Sequence, residues 1–321
     1  MSSPCVSVIL TTYNRADLLP VALQCLSAQT FPREKWELVI MDDGSTDATP
    51  QIIAPFLRKM RNARYFKKKH EGLSAGRNGG ISHAKWDLVA FTDYDCLPSP
   101  DWISELWATY QKEKPLGIEG KVITDTNKPL FSNAPQNERG RKYIGCNSAY
   151  TRAILDKVGG YDKRFFWVRD DTDVAFRVLK HGKIAFAEKA VVYHPARATN
   201  PVHLVKRLSI IQSDLLLFRK HPREYWKNFG FPNRNNWIRS LFTYALLFFL
   251  FQTQNSGMII GGVVLFLALE SVGYAFFRSA LFSMKTIEVA AIFSFTLLVR
   301  DLIFPLAFVY YAIKTAREKV K

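Results

Sequence analysis

The amino-acid sequence predicts an α/β domain with a mostly parallel sheet, continued by amphipathic and membrane-type helices at its C-terminal end. Three observations carry that expectation. Short apolar runs alternate with segments of helical periodicity through the first 200 residues, polar clusters follow those runs at Thr11, Asp42 and Asp93, and long apolar stretches appear only after residue 240. With 321 residues, 48% of them apolar, the chain can build one large or two modest cores.

In order, Val6 to Thr11 reads as a strand and Asp17 to Ala28 as a helix, with Leu18, Leu19, Ala22, Leu23 and Leu26 on one face. Trp36 to Met41 is the next strand, and Ile52, Ile53, Phe56 and Leu57 mark the next helical face. Tyr65-Phe66 forms a short strand, Ser74 to Ala84 a helix, and Leu88 to Thr92 a fourth strand. Beyond a helix at Asp101 to Tyr110, the polar stretch Thr124 to Tyr143 has little periodicity and is expected to be an acceptor-side or lid loop, with disorder as the competing reading. Gly145 to Tyr150 restarts a strand, Thr151 to Val158 is a short helix, and Asp170, Asp171 and Asp173 open an amphipathic helix. Two further short strands, Ile184 to Phe186 and Ala190 to Tyr193, lead to His194-Pro195. Cys5, Cys25, Cys96 and Cys146 lack CxxC spacing, and Met1-Ser2-Ser3-Pro4 runs straight into a strand. Both features predict a reducing cytoplasmic setting with free thiols, no zinc site and no leader.

The chemistry centres on Asp93-Tyr94-Asp95. Alternate residues of an extended segment share a face, so both carboxylates can turn toward one hard divalent cation, Mg2+ or Mn2+. In open α/β sheets, ligands bind outside the carboxyl ends of the strands, where Thr11 to Arg15, Asp42 to Ser45 and Asp93 to Asp95 all lie. A tyrosine at such an edge offers a stacking face to a base, and an aspartate accepts an imide N–H, a combination that suits uracil. Neither a Gly-x-x-x-x-Gly-Lys loop nor a Gly-x-Gly-x-x-Gly fingerprint occurs.

Val8-Ile9-Leu10-Thr11-Thr12-Tyr13-Asn14-Arg15, Asp42-Asp43-Gly44-Ser45-Thr46-Asp47, Gly76-Arg77-Asn78 and the aspartate pair occur in the order of the family 2 glycosyltransferases, and the chain resembles that family across about residues 5 to 200. The resemblance implies a GT-A, Rossmann-like nucleotide-sugar-binding domain. It implies that Thr11, Tyr13, Asp42 and Asp43, with Arg15 beside them, hold the base and ribose. By the same likeness Arg77 lies near base or phosphate, Asp93 meets ribose or metal, and Asp95 ligates the metal. The family carries paired acids where this chain has Asp170-Asp171, which makes Asp171 the general base and Asp170 an orienting or acceptor-holding group. His194 is expected at the metal or pyrophosphate, with a structural role as its competitor. The Gln-x-x-Arg-Trp signature of processive members is absent, which points to transfer of a single sugar.

From Pro201 the composition changes. Val202, Val205, Leu208, Ile211, Leu215 and Phe218 form a helical stripe among many lysines and arginines, as expected of a segment on a membrane surface. Met258 to Phe277 and Ile287 to Ile313 are expected to span, with Leu241 to Phe251 interfacial or a third span. The predicted organisation is therefore a catalytic domain at 1–200, a basic juxtamembrane segment at 201–240 and a membrane region at 241–321. Basic flanks place the catalytic part and the tail in the cytoplasm, and Glu270, Arg300 and Asp301 need partners inside the spans.

The expectation is thus a multi-pass cell-membrane enzyme that transfers one sugar, with inversion, from a nucleotide-diphosphate sugar to a hydroxyl of a lipid-linked or cell-envelope glycan. A polyprenyl phosphate is the alternative acceptor. Because the +16 net charge crowds against the spans, membrane lipids rather than nucleic acid are the expected partner, and the intact acids argue against a non-catalytic scaffold.

Overall fold

The computed structural model describes residues 6–125, 132–165, 168–198, 207–252, 257–258, 260–267 and 284–317. The chain divides into two compact units, Met1–Thr124 with Ala134–Pro195, and Asp125–Asn133 with Ala196–Lys321. The two segments expected at 201–240 and 241–321 belong to the same unit.

The first unit begins with the expected alternation: β1 (Val6–Thr12), α1 (Leu19–Ser27), β2 (Trp36–Asp42), α2 (Thr49–Lys59), β3 (Ala63–Lys67), α3 (Leu73–His83) and β4 (Leu88–Asp93). It continues with β5 (Leu97–Pro98), α4 (Trp102–Glu113) and β6 (Gly117–Ile123), while β7 (Ser132–Asn133) belongs to the second unit. β8 (Ser148–Thr151), α5 (Arg152–Val158), α6 (Asp170–Leu179) and β9 (Ile184–Tyr193) complete it. The eight-stranded sheet has the order β3-β2-β1-β4-β8-β6-β9-β5, in which β8 and β5 run against the rest. Every residue of β1 and β2 is buried, because helices cover both faces of these central strands. Val6, Val8 and Leu10 face one core and Ile9 faces the other, following the period-two alternation of a strand. Helix α3 presses on the second face through glycines: a Cβ at Gly79 would stand 2.7 Å from Met41 Cε, and one at Gly76 would stand 3.2 Å from Thr11 Cγ2.

Three elements differ from expectation. β6 was not anticipated, since Gly117, Glu119 and Gly120 interrupt its apolar pattern. Both glycines are there for space: a Cβ at Gly117 would lie 2.7 Å from the Tyr150 ring, and one at Gly120 would strike the Asn147 amide. The two strands expected at 184–186 and 190–193 are one, whose register against β6 slips between Gly120 and Lys121. Gly145–Asn147 is a 3-10 turn rather than strand, and β8 starts only at Ser148.

The second unit contains a two-stranded sheet of β7 and β10 (Arg197–Ala198), then α7 (Ile210–Lys220), α8 (Pro222–Phe229), α9 (Arg234–Gln252) and α10 (Met284–Arg317). Leu208, Ile211 and Leu215 pack with Phe304, and Trp237 meets Phe304 and Phe308 edge-on at 5.2 and 5.0 Å. Asp301 is buried and takes an ion pair from Arg239 (3.0 Å) and from Arg300 (2.8 Å), which supplies the partner an acid within an apolar helix requires. Among the described residues one segment, Ser294–Arg317 of α10, is long and apolar enough to cross a membrane. Its 24 residues extend about 36 Å at helical rise. Most of the expected span at 258–277, with Glu270, lies outside the described residues, and Leu241 to Phe251 is part of the longer helix α9.

Candidate functional site

The register of the parallel strands brings the polar clusters together. Across β1, Thr11 lies opposite Asp93 and Thr12 opposite Asp42. The hydroxyls of Thr11 and Thr12 are buried without a hydrogen-bond partner, an arrangement found where a bound group completes a site. Two sequence motifs then knit into one edge. Asn14, in the left-handed region at φ 49°, accepts the Thr46 N–H (2.7 Å), its own N–H donates to Ser45 Oγ (2.9 Å), and the Arg15 N–H donates to Thr49 Oγ1 (3.0 Å). The Arg15 guanidinium lies 5.2 Å from the Tyr94 ring centre.

Asp42 and Asp43 are both buried, and both are engaged. Asp42 accepts the Ser45 N–H (2.7 Å) and the Tyr65 hydroxyl (2.6 Å). Asp43 accepts the N–H groups of Glu71 (3.0 Å) and Gly72 (2.8 Å) and pairs with Lys68 (3.1 Å) and His70 (2.7 Å). A base that hydrogen-bonds Asp43 therefore has to share it with the loop at 68–72. The Tyr13 ring, 38% exposed, stacks on His70 at 4.0 Å, so an aromatic step stands at the mouth of this cluster.

Arg77 does not present its guanidinium to an open face, as base or phosphate contact would demand. It is buried, reaching Asp170 Oδ2 at 2.7 Å and Asp93 Oδ1 at 3.1 Å, with Tyr161 5.2 Å away. Burial by itself would push the guanidinium down, but Asp170 and Asp93 hold it well above its ordinary value. Burial also pushes the Asp170 carboxyl up, to about 6, against the pull of Arg77. Asp170 and Asp171 begin α6 directly after Arg169, which is left-handed at φ 71°. Asp171 Oδ2 accepts the Gly145 N–H (2.8 Å), while Oδ1 accepts both the Thr172 N–H (2.7 Å) and the Thr172 hydroxyl (3.2 Å), so the carboxylate is oriented and Oδ2 is the oxygen with room for a further proton donor. Asp173 pairs with Arg177 at 2.7 Å.

Asp95 and His194 face one another, with 3.9 Å between Asp95 Oδ1 and His194 Nε2. Ligand atoms of Asp95, Cys96 and His194 lie within 4.8 Å of one another, while Asp93 lies instead with Cys96 and Cys146. Burial pushes the Cys96 thiol well up, and the protonated thiol donates to Asp95 Oδ1 (3.8 Å). A carboxylate oxygen and an imidazole nitrogen beside a neutral thiol suit a hard cation, so the residues present fit Mg2+ or Mn2+.

Several residues in and around these clusters were not visible beforehand. His70 and Lys68 sit in a loop without periodicity. Asn147, which accepts the Trp102 indole N–H (2.8 Å) and donates to the carbonyls of Lys121 and Ala190 (2.9 Å each), gave no signal beyond being polar in an apolar run. Glu119 did give one: an acid inside a short apolar stretch, which needs partners when buried.

Comparison with known proteins agrees with this architecture. The model of glycosyl transferase family 2 matches residues 7–173. Glycosyltransferase AglE of Haloferax volcanii is 35% identical over 212 residues, which cover 60% of this chain and 68% of that protein. The chain spans smaller shares of several other curated relatives, including 34% of an Escherichia coli chondroitin synthase. Among solved structures, S. aureus TarS 1-349 in complex with UDP-GlcNAc superposes with a TM-score of 0.54 at 16% identity, covering 94% of this chain and 92% of that one. The mannosyltransferase PcManGT of Pyrobaculum calidifontis, in complex with GDP-Man and Mn2+, gives 0.58 at 16% identity, covering 99% and 89%. At such identities the likeness establishes the GT-A-like fold, and the sequence match establishes the family: the chain belongs to glycosyl transferase family 2.

Proposed function

We propose that the chain transfers one sugar, with inversion, from a nucleotide-diphosphate sugar, a UDP-sugar by preference, to a hydroxyl of a lipid-linked or cell-envelope glycan. The observation that carries this reading is the junction at Arg77, which ties Asp93 at the end of β4 to Asp170 at the start of α6 and so sets Asp171 beside the strand ends. Tyr13 offers a stacking face to the base, and the partnerless Thr11 hydroxyl offers a hydrogen bond to it or to the ribose. When bound by Asp95 and His194, with Asp93 nearby, Mg2+ or Mn2+ would neutralise charge on the departing diphosphate. Asp171, held by the Gly145 N–H, takes the proton of the attacking hydroxyl. Attack from the side opposite the diphosphate inverts the anomeric centre.

The enzyme works attached to the cell membrane through α10, with its catalytic unit in the cytoplasm. Reporters fused after Lys321 and inserted within 278–286 should report opposite sides. Calorimetry of the purified chain with UDP and GDP, each with and without Mn2+, tests the donor reading. UDP should bind with Mn2+, and Asp95→Ala should weaken that binding by about tenfold or more. Unchanged affinity in the variant removes the metal assignment, and a wild-type chain that binds no nucleotide overturns the donor reading.

A further inference from the structure

We propose that the loop at 138–143 is a receptor for an anionic group, phosphate or carboxylate, carried by the acceptor; the inference rests on the transferase reading above. The loop is shaped from the inside. Glu119 of β6, only 3% exposed, accepts the backbone N–H groups of Arg141, Lys142 (3.2 Å) and Tyr143 (3.0 Å) together with the Asn137 side-chain amide (2.9 Å). Wrapping three successive N–H groups around one buried carboxylate forces Arg141 (φ 67°) and Tyr143 (φ 51°) into the left-handed region, which non-glycine residues adopt at a cost. Glu119 thus fills the backbone concavity that could otherwise hold an anion.

Turning the backbone inward leaves Arg139, Arg141 and Lys142 exposed within four residues. Among the described residues these three cations make no ion pair, and the exposed acid of the loop, Glu138, accepts from Gln136. A fixed backbone bearing three uncommitted cations is a device for holding an anion, since ordering the loop in advance lowers the cost of binding. Its position says which substrate carries that anion. Four residues after Arg141 comes Gly145, at most about 14 Å away along the chain, and its N–H holds the base Asp171. The Tyr143 ring meets Phe176 edge-on at 6.1 Å, on the same helix as Asp171. The loop therefore approaches the residue assigned to the acceptor hydroxyl, whereas the diphosphate of the donor is assigned to Asp95 and His194.

The test uses the full-length chain in detergent with UDP and Mn2+ present, and measures the affinity of four probes: glucose 1-phosphate, glucuronic acid, neutral methyl glucoside, and lipid vesicles with or without a polyprenyl phosphate. At least one anionic probe should bind about tenfold tighter than methyl glucoside or plain vesicles, and about 0.5 M salt should erase most of the difference. The variant R139Q/R141Q/K142Q should lose the preference, while R139K/R141K should keep it within about fivefold. A response confined to polyprenyl phosphate vesicles names a lipid phosphate as the source. A response to the soluble sugars names an anion on the glycan. Equal binding of anionic and neutral probes by the wild type overturns the proposal, as does a glutamine variant that retains the preference. UDP affinity is the independent control. If the glutamine variant loses UDP binding as well, salt sensitivity of the wild type and retention in the lysine variant decide. A wild type that binds anions through this loop but no nucleotide upholds the receptor and sinks the transferase reading instead.

Discussion

The two units treat their large apolar side chains in opposite ways. Among the described residues of the first, only Tyr13, Val21 and Leu179 are exposed large hydrophobics, and Thr11, Glu37, Asp42, Arg77 and Asp170 are buried through specific partners or at the site. In the second, Leu241, Phe248, Phe249, Leu306 and Tyr310 are 60 to 72% exposed, while Ser240, Thr243, Ser294, Asp301 and Thr315 are buried. Under the membrane attachment proposed above, one chain is folded for two solvents. Where water surrounds the protein, apolar area is removed from the surface, and where hydrocarbon does, apolar groups turn outward and polar groups hold helices together. Charge follows the same division. Arg77 joins the end of β4 to the start of α6, whereas Asp301 binds α9 to α10 through Arg239.

The contrast can be sharpened by mutation. Arg77→Met should have the largest effect, because it leaves Asp170 buried and unpaired. Turnover should fall by about 10³-fold, and urea unfolding should show a loss of about 3–5 kcal/mol. Preserved turnover would mean that the junction does not set the catalytic geometry. Asp171→Asn should lower turnover by about 100-fold or more with UDP affinity unchanged, since the same shape remains and only the base is gone. Near-normal turnover would favour a phosphate acceptor, which needs no base. Next in size is a matched pair. Leu10→Ala, in the buried interior of the first unit, should cost about 2–5 kcal/mol, whereas Leu306→Ala, 72% exposed, should change stability in micelles by less than about 0.5 kcal/mol. Equal losses would erase the distinction between the units.

The smallest expected effect is on pH dependence. Burial pushes the Asp170 carboxyl up to about 6, and its ionised form is the one that holds Arg77. Activity should therefore decline as pH falls through about 6, by roughly tenfold per unit at most. An acid limb unmoved in Asp170→Asn would assign that titration elsewhere.

Much of the first unit was legible in the sequence because its parallel strands are buried on both sides and read as uninterrupted apolar runs. The motif order supplied the candidate site residues. What stayed hidden were contacts between sequence-distant groups: Cys96 with Cys146, Asn147 with Trp102, Glu119 with the loop it shapes. Such groups are recognisable only once strand order is known, and β8 enters that order against the run of the sequence. β6 was missed for a related reason. Its glycines, which broke the pattern, exist because Tyr150 and Asn147 from the neighbouring segment occupy the space a side chain would need. For Arg77 the surroundings were not legible, since nothing local reveals that a guanidinium is enclosed by carboxylates from two other elements.

That junction also bears on how the protein is made. Arg77 and Asp170 are 93 residues apart, so at a synthesis rate of roughly 5–20 residues per second the arginine leaves the ribosome about 5–19 seconds before its closest acid. During that interval β1 to β4 can assemble as a parallel block around α3, but the cation has only Asp93 to meet. The Arg77–Asp170 contact can therefore close only once α6 has emerged, well after β1 to β4.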